Sequence, residues 1–161
     1  LSFLGLSEDI SKRKSDIGAS NRAINNIQKN FPEVLEARCF NMLDGFEFED
    51  DSFEIVCADL CLHYFTEKDT RMILNEIRRI LVPGGHLFVR VNSVKDVNHG
   101  AGQGIETEHH LYRTEDGMFK RFFDEEDVRR LFSGFDILFC EEQKMLRYSS
   151  EKIVFCVCLR L

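Results

Sequence analysis

The chain has 161 residues, 43% of them hydrophobic, with 21 Lys and Arg against 28 Asp and Glu for a formal net charge of −7. That length holds one core and leaves little room for another, so residues 1–161 read as a single domain. The acidic balance argues against a nucleic-acid partner, no apolar run approaches the roughly 18 residues of a membrane span, and 15 Phe argue against disorder.

In chain order, LSFLGLSEDISKRK places its charges behind a six-residue apolar stretch, the reverse of a secretory signal. Ala23, Ile24, Ile27 and Phe31 are spaced for a helix that Pro32 ends, and Val34 to Phe40 reads as a strand. Ser52 to Ala58 is a short, mostly apolar run behind the acidic turn Glu49-Asp50-Asp51, as a buried parallel strand should be. Thr66 can cap a helix, with Asp69 three residues on as a weak capping box. Ile73, Ile77, Ile80 and Leu81 then make one apolar stripe, and Arg78 and Arg79 suit the negative end of the helix dipole. Pro83-Gly84-Gly85 is expected to stop this helix, and His86 to Asn92 to resume as a strand, completing a strand–helix–strand unit.

Residues 93–123 form a long polar insert without clear periodicity, and inserts of that length are more often functional than decorative. Asp124 caps a short helix with Val128, Leu131 and Phe132 inward and Gly134 at its end. Phe135–Cys140 and Ile153–Leu159 have no helix between them, so they should pair antiparallel. The expected fold is an α/β sandwich: a mostly parallel sheet, helices on both faces and an antiparallel strand at the end. Ligands of such sheets sit beyond the carboxyl ends of the strands.

Six cysteines show no C-x-x-C pair and no zinc spacing, which points to reduced thiols in a reducing compartment, the cytoplasm. Gly100-Ala101-Gly102-Gln103-Gly104 invites a phosphate-loop reading, but no helical pattern follows directly and Glu106 and Glu108 would repel a phosphate. A mobile lid over the site is the better expectation. His99, His109 and His110 with Glu106 and Glu108 could suggest a metal centre. Neighbours on a strand point to opposite faces, however, so His109 and His110 should not share an ion, and no metal is expected.

The run DDSFEIVCADLCLHYF, followed by a helix and ILVPGGHLFVRVNS, resembles the middle of a class I S-adenosylmethionine-dependent methyltransferase. The closing pair of strands is similar to that family's reversed final strand, and the small bacterial methyltransferases of the tellurite-resistance type look nearest. The resemblance spans roughly residues 16–160. It implies a Rossmann-like methyltransferase sandwich, S-adenosylmethionine as cofactor, and methyl transfer to a small-molecule acceptor. Asp16, in KSDIGASNRAI, falls where the family's carboxylate holds the ribose hydroxyls; it could equally cap the next helix. Asn41 and Met42 fall where the adenine is read and covered. Asp59, Leu60 and His63 follow the strand whose end lines the methionine portion, with turn-capping as the other reading of Asp59. His63 could take a proton from the acceptor or serve only as a buried structural imidazole, and Tyr64, Asn92 and His99 are the substrate-side candidates.

The family's first strand and glycine-rich loop have no match. With Asp16 ending the second strand, Leu1–Ser7 should fall on the first helix, leaving the N-terminal part incomplete through truncation, degeneration or a rearranged fold; truncation is the favoured expectation. A gap in mid-sheet would expose unpaired backbone groups and favour homo-oligomers through that edge. The same absence, with a neutral Asn41 where an acid is usual, motivates the alternative of an inactive methyltransferase-like module acting through protein contacts.

Overall fold

The computed structural model describes residues 3–7, 29, 40–147 and 149–161. Asp16 therefore lies outside the described residues, as do the expected helix from Ala23 to Phe31, apart from the helical Lys29, and the expected strand from Val34 to Phe40, apart from Phe40. The main sheet contains β1 (Phe3–Ser7), β2 (Phe53–Asp59), β3 (Leu81–Asn92), β7 (Asp136–Arg147) and β8 (Ser150–Arg160), in the spatial order β1–β2–β3–β8–β7. β1, β2 and β3 are parallel, and β8 runs against both of its neighbours. The reversed strand is thus one place in from the edge rather than at it, and β7 runs with the parallel set.

β1 corrects an expectation. Phe3–Ser7 is a strand rather than a helix, aligned on β2 from Phe3↔Ile55 to Ser7↔Asp59. A short apolar run cannot be assigned by periodicity alone. Here pairing wins, because it satisfies the N–H and C=O groups that the edge of β2 would otherwise leave unpaired.

Helix α1 (Glu67–Ile80) starts as expected: Thr66 Oγ1 accepts from the Asp69 N–H at 3.2 Å. It ends before Pro83, because Leu81 is already extended (φ −76°, ψ 135°) and opens β3. Pro83-Gly84-Gly85 instead lies within β3, where the register with β2 jumps from Phe53↔Leu81 to Ile55↔His86. Gly84 has φ +79°, and a Cβ on Gly85 would lie 2.8 Å from the Val82 carbonyl oxygen, so this bulge needs glycine.

Ile73, Leu74, Ile77 and Ile80 of α1 form one core with Val56 and Ala58 of β2, Leu87, Val89 and Val91 of β3, and Val157 and Leu159 of β8. Helix α2 (Glu125–Leu131) adds Val128 and Leu131, with Phe132 behind it, and carries a full capping box between Asp124 and Asp127. Gly134 serves another purpose than a helix stop alone: a Cβ there would lie 2.5 Å from an Arg78 guanidinium nitrogen. Alternation puts Cys57, Phe88, Arg90, Cys156 and Cys158 on the second face of the sheet.

The insert is folded. β4 (Ile105–Glu108), β5 (Leu111–Arg113) and β6 (Phe119–Arg121) make a small antiparallel sheet. A parallel bridge between Ser93 and Phe123 seals its two ends together. No helix among the described residues is long and apolar enough to cross a membrane.

Candidate functional site

The parallel register brings Ser7, Asp59 and Asn92 to one end of the sheet, where the reversed β8 contributes its first residues. Leu60, directly after β2, has φ +51° yet is 1% exposed. A leucine held in the left-handed region costs roughly 1–3 kcal/mol, a strain that gathers at ligand-binding turns. The 3₁₀ turn Leu62–Tyr64 follows, placing His63 2% exposed with its ring centroid 4.1 Å from that of Tyr64.

Asn92 is the most unusual residue of this end. It is fully buried, and neither its amide nitrogen nor its amide oxygen has a hydrogen-bond partner among the described residues. Leaving a buried polar group unmatched costs about 1–3 kcal/mol, so this amide is a strained polar group at the strand tip.

Asp59 does not cap a turn. It is the register partner of Arg90, whose Nε and Nη2 donate to its two oxygens at 2.5 and 2.7 Å. These bonds hold the Arg90 guanidinium above its ordinary pKa against the opposing effect of burial. The expected adenine pair divides. Asn41 is half-exposed and its Oδ1 accepts from the Leu43 N–H at 3.2 Å, whereas Met42 packs into the core at 4% exposure. The 3₁₀ turn Met42–Asp44 explains the split, since successive residues on so tight a turn face different ways.

His99 belongs to a network that sequence reading missed. Its Nδ1 lies 2.8 Å from Asp96 Oδ1 and its Nε2 lies 3.0 Å from Ser150 Oγ. Asp96 is 1% exposed and also accepts from Lys152 Nζ at 3.0 Å and from the Ile153 N–H at 3.2 Å. Burial alone would raise the Asp96 pKa, but the bonds from His99, Lys152 and Ile153 outweigh it and hold the carboxyl below its usual range. One signal was available: Lys152 is the single charge in an otherwise apolar run from Lys152 to Leu159.

The glycine segment is a shaped turn. Gly104 has φ +103°, and a Cβ there would lie 2.5 Å from the Arg113 carbonyl oxygen. The premise about His109 and His110 is also corrected: they occupy the turn between β4 and β5, not a strand. His110 has φ +55°, and the two rings lie side by side with centroids 3.8 Å apart. Next to them Arg121, fully buried, pairs with Glu108 at 2.5 Å.

A hollow of about 640 Å³ lies on the second face of the sheet, lined by Cys57, Phe88, Phe139, Cys156 and Cys158, with Asp59 and Arg90 at its polar margin. Its other residues are mid-strand, away from the strained turn and the buried amide. Cys57, Cys61, Cys140, Cys156 and Cys158 are free thiols. Burial pushes Cys57, Cys140, Cys156 and Cys158 above the ordinary thiol pKa, which suits unreactive packing residues.

Residues 9–89 match the family described as a methyltransferase domain. The fold is shared with a SAM-dependent methyltransferase from Methanosarcina mazei, at 16% identity over 98% of this chain and 91% of that one, with a TM-score of 0.71. It is shared too with the Burkholderia thailandensis 1,6-didemethyltoxoflavin-N1-methyltransferase, solved with 1,6-didemethyltoxoflavin and S-adenosylhomocysteine: 13% identity, 99% and 70% coverage, TM-score 0.67. The N-methyltransferase NodS of Bradyrhizobium japonicum, solved with S-adenosylhomocysteine, aligns at 15% identity over 86% and 61% of the two chains, with a TM-score of 0.58. At these identities the likeness speaks for the fold. No curated protein is close enough in sequence to count as a relative.

Proposed function

Because the chain belongs to the methyltransferase domain family, we propose that it moves the methyl group of S-adenosylmethionine to a small-molecule acceptor at the carboxyl ends of β2 and β3. The observation that carries this reading is the buried, unmatched amide of Asn92 beside the strained turn at Leu60. Both features fit a polar ligand laid across these tips. Asp16 and Asn41 are the groups proposed for the adenosine end, and the Asp59–Leu60 turn for the methionine end. Met42 supports the Asn41 turn from within the core.

When bound, S-adenosylmethionine supplies a methyl carbon already activated by its positive sulfur. The protein's work is then to align the acceptor and keep water out. Tyr64 is half-buried beside the same turn and can meet the acceptor, whereas the Asn92 amide, fully buried, reaches it only if the strand tip shifts on binding. His99 is the better-placed base for an acceptor hydroxyl or amine. With Nδ1–H given to buried Asp96, Nε2 is the basic nitrogen, and it accepts from the Ser150 hydroxyl, which an acceptor hydroxyl or amine would have to replace. His63, 2% exposed, is better suited to holding the turn.

The free cysteines support a reducing, cytoplasmic setting. The net charge of −7 supports a partner other than nucleic acid. Calorimetric titration of the natural-length protein with S-adenosylmethionine and S-adenosylhomocysteine tests the reading. Binding of both, weakened about tenfold or more by Asn92→Ala if Asn92 also meets the cofactor and unchanged if it meets only the acceptor, agrees with it. Binding of neither overturns it.

A further inference from the structure

The turn between β4 and β5 meets the start of α2 in a cluster with no part in the proposed methyl transfer. His109, His110, Asp124 and Asp127 each offer one ligand atom, and the four atoms lie within 4.8 Å of one another. His110 Nδ1 is 2.7 Å from Asp127 Oδ2 and 4.0 Å from Asp124 Oδ2, and His109 Nε2 is 4.0 Å from Asp127 Oδ1. We infer that His109, His110, Asp124 and Asp127 form a binding site for a divalent transition-metal ion of the zinc class.

The donor chemistry is two imidazoles and two carboxylates, a set that suits zinc, cobalt or nickel rather than calcium or magnesium, which prefer oxygen alone. A tetrahedral ion with bonds of roughly 2.0–2.2 Å needs donors roughly 3.3–3.5 Å apart. The 4.0 Å pairs must close by about half an ångström, and the 2.7 Å pair must open by a similar amount. Rotation of His109 and Asp124, whose side chains are 64% and 38% exposed, can close the wider pairs, and opening the His110–Asp127 pair takes a turn of the 23% exposed His110 ring.

The less mobile half of the cluster is already oriented. Asp127 is 2% exposed, and Arg130 Nη2 donates to its Oδ1 at 2.8 Å. The His110 N–H donates to Glu106 Oε1 at 2.9 Å, which fixes the left-handed turn. These bonds orient the Asp127 carboxylate and the His110 backbone, and leave Asp127 Oδ2 on the side of His110. A purely structural bond between His110 and Asp127 would leave unexplained why a second, largely exposed imidazole is stacked 3.8 Å from the first. Asp124 and Asp127 are joined by Glu125 and Glu126 in the first turn of α2, with Arg130 paired to Asp127, Arg129 to Glu125 and Arg121 to the His109 carbonyl.

Cobalt(II) is the probe, because its visible spectrum reports coordination geometry. The natural-length protein, stripped with chelator, is titrated with cobalt chloride alongside His109→Ala and Asp124→Asn. Both variants should fold, since His109 is exposed and asparagine caps a helix as well as aspartate does. The expected result is one ion per chain with intense visible bands of a four-coordinate site, and affinity reduced about tenfold or more in each variant. No bound cobalt, or equal affinity in parent and both variants, overturns the site. Neither outcome depends on whether S-adenosylmethionine binds, so the two readings fail separately.

Discussion

The α/β core and the 93–123 insert are stabilised by different physics. The core is closed by aliphatic side chains: Ile73, Ile77, Ile80 and Leu87 are all fully buried. The insert has few such residues and is held by buried charges instead. Asp96 bonds Lys152 and His99, Arg121 bonds Glu108, and Asp127 bonds His110 and Arg130. Apolar burial is non-directional and tolerates exchange among similar residues. A buried charge depends on its particular partner, so a polar insert can hold ligand groups in fixed directions but fails sharply when one partner is lost.

The largest effect should come from Asp96→Ala, which leaves Lys152 at 5% exposure without its carboxylate. Breaking such a buried pair costs roughly 3–5 kcal/mol. Urea unfolding measures it, and a loss below about 1 kcal/mol would remove the contrast between the regions. Ile77→Ala on the core side should cost about 2–4 kcal/mol, with no pH dependence of its own.

Acid separates the two further. Asp96 and Asp127 both titrate below their ordinary value, Asp127 because bonds from His110, Arg130 and the Asp124 N–H outweigh its burial. A lowered folded pKa means that the stabilisation is fully present above the unfolded carboxyl value near 4 and is lost as pH falls through the folded value. Glu67 and Glu76 of α1 are also held low by their arginine partners, but those pairs lie at the surface, where solvent screens them. Amide exchange should therefore show residues 93–123 opening before α1 and β3 as pH drops below about 4. Simultaneous opening would contradict a separately held insert. The smallest effect is a gain: Ser149, with φ +66° just before β8, should yield about 1 kcal/mol of stability on replacement by glycine. A lower melting temperature for Ser149→Gly would show that the hydroxyl matters more than the backbone.

The same contrast explains what could be read from the sequence. Ile73, Ile77 and Ile80 declare a helix by their spacing, and Asp124 and Thr66 declare helix starts by their chemistry, so the strand–helix–strand frame was legible. The insert was not, because hydrogen bonds between Asp96 and Lys152, or His110 and Asp127, span long stretches of sequence and have no period. Helix-to-strand boundaries were hidden too: Pro83 and Gly84 look like a helix stop, yet they form a bulge inside β3. At the site, the strand-tip rule directs attention to Asn92 and the residues after it, whereas the burial of Met42 and His63 depends on how tight 3₁₀ turns orient successive residues.

The central claim is that ligand lies over the tips of β2 and β3. Backbone amide shifts of the natural-length protein titrated with S-adenosylhomocysteine test it most directly. The account predicts that the largest changes fall between Asp59 and Tyr64 and reach the Asn92 amide. Saturable binding with changes confined to Cys57, Phe88 and Cys158 in the mid-sheet hollow, or no changes at all, would contradict it.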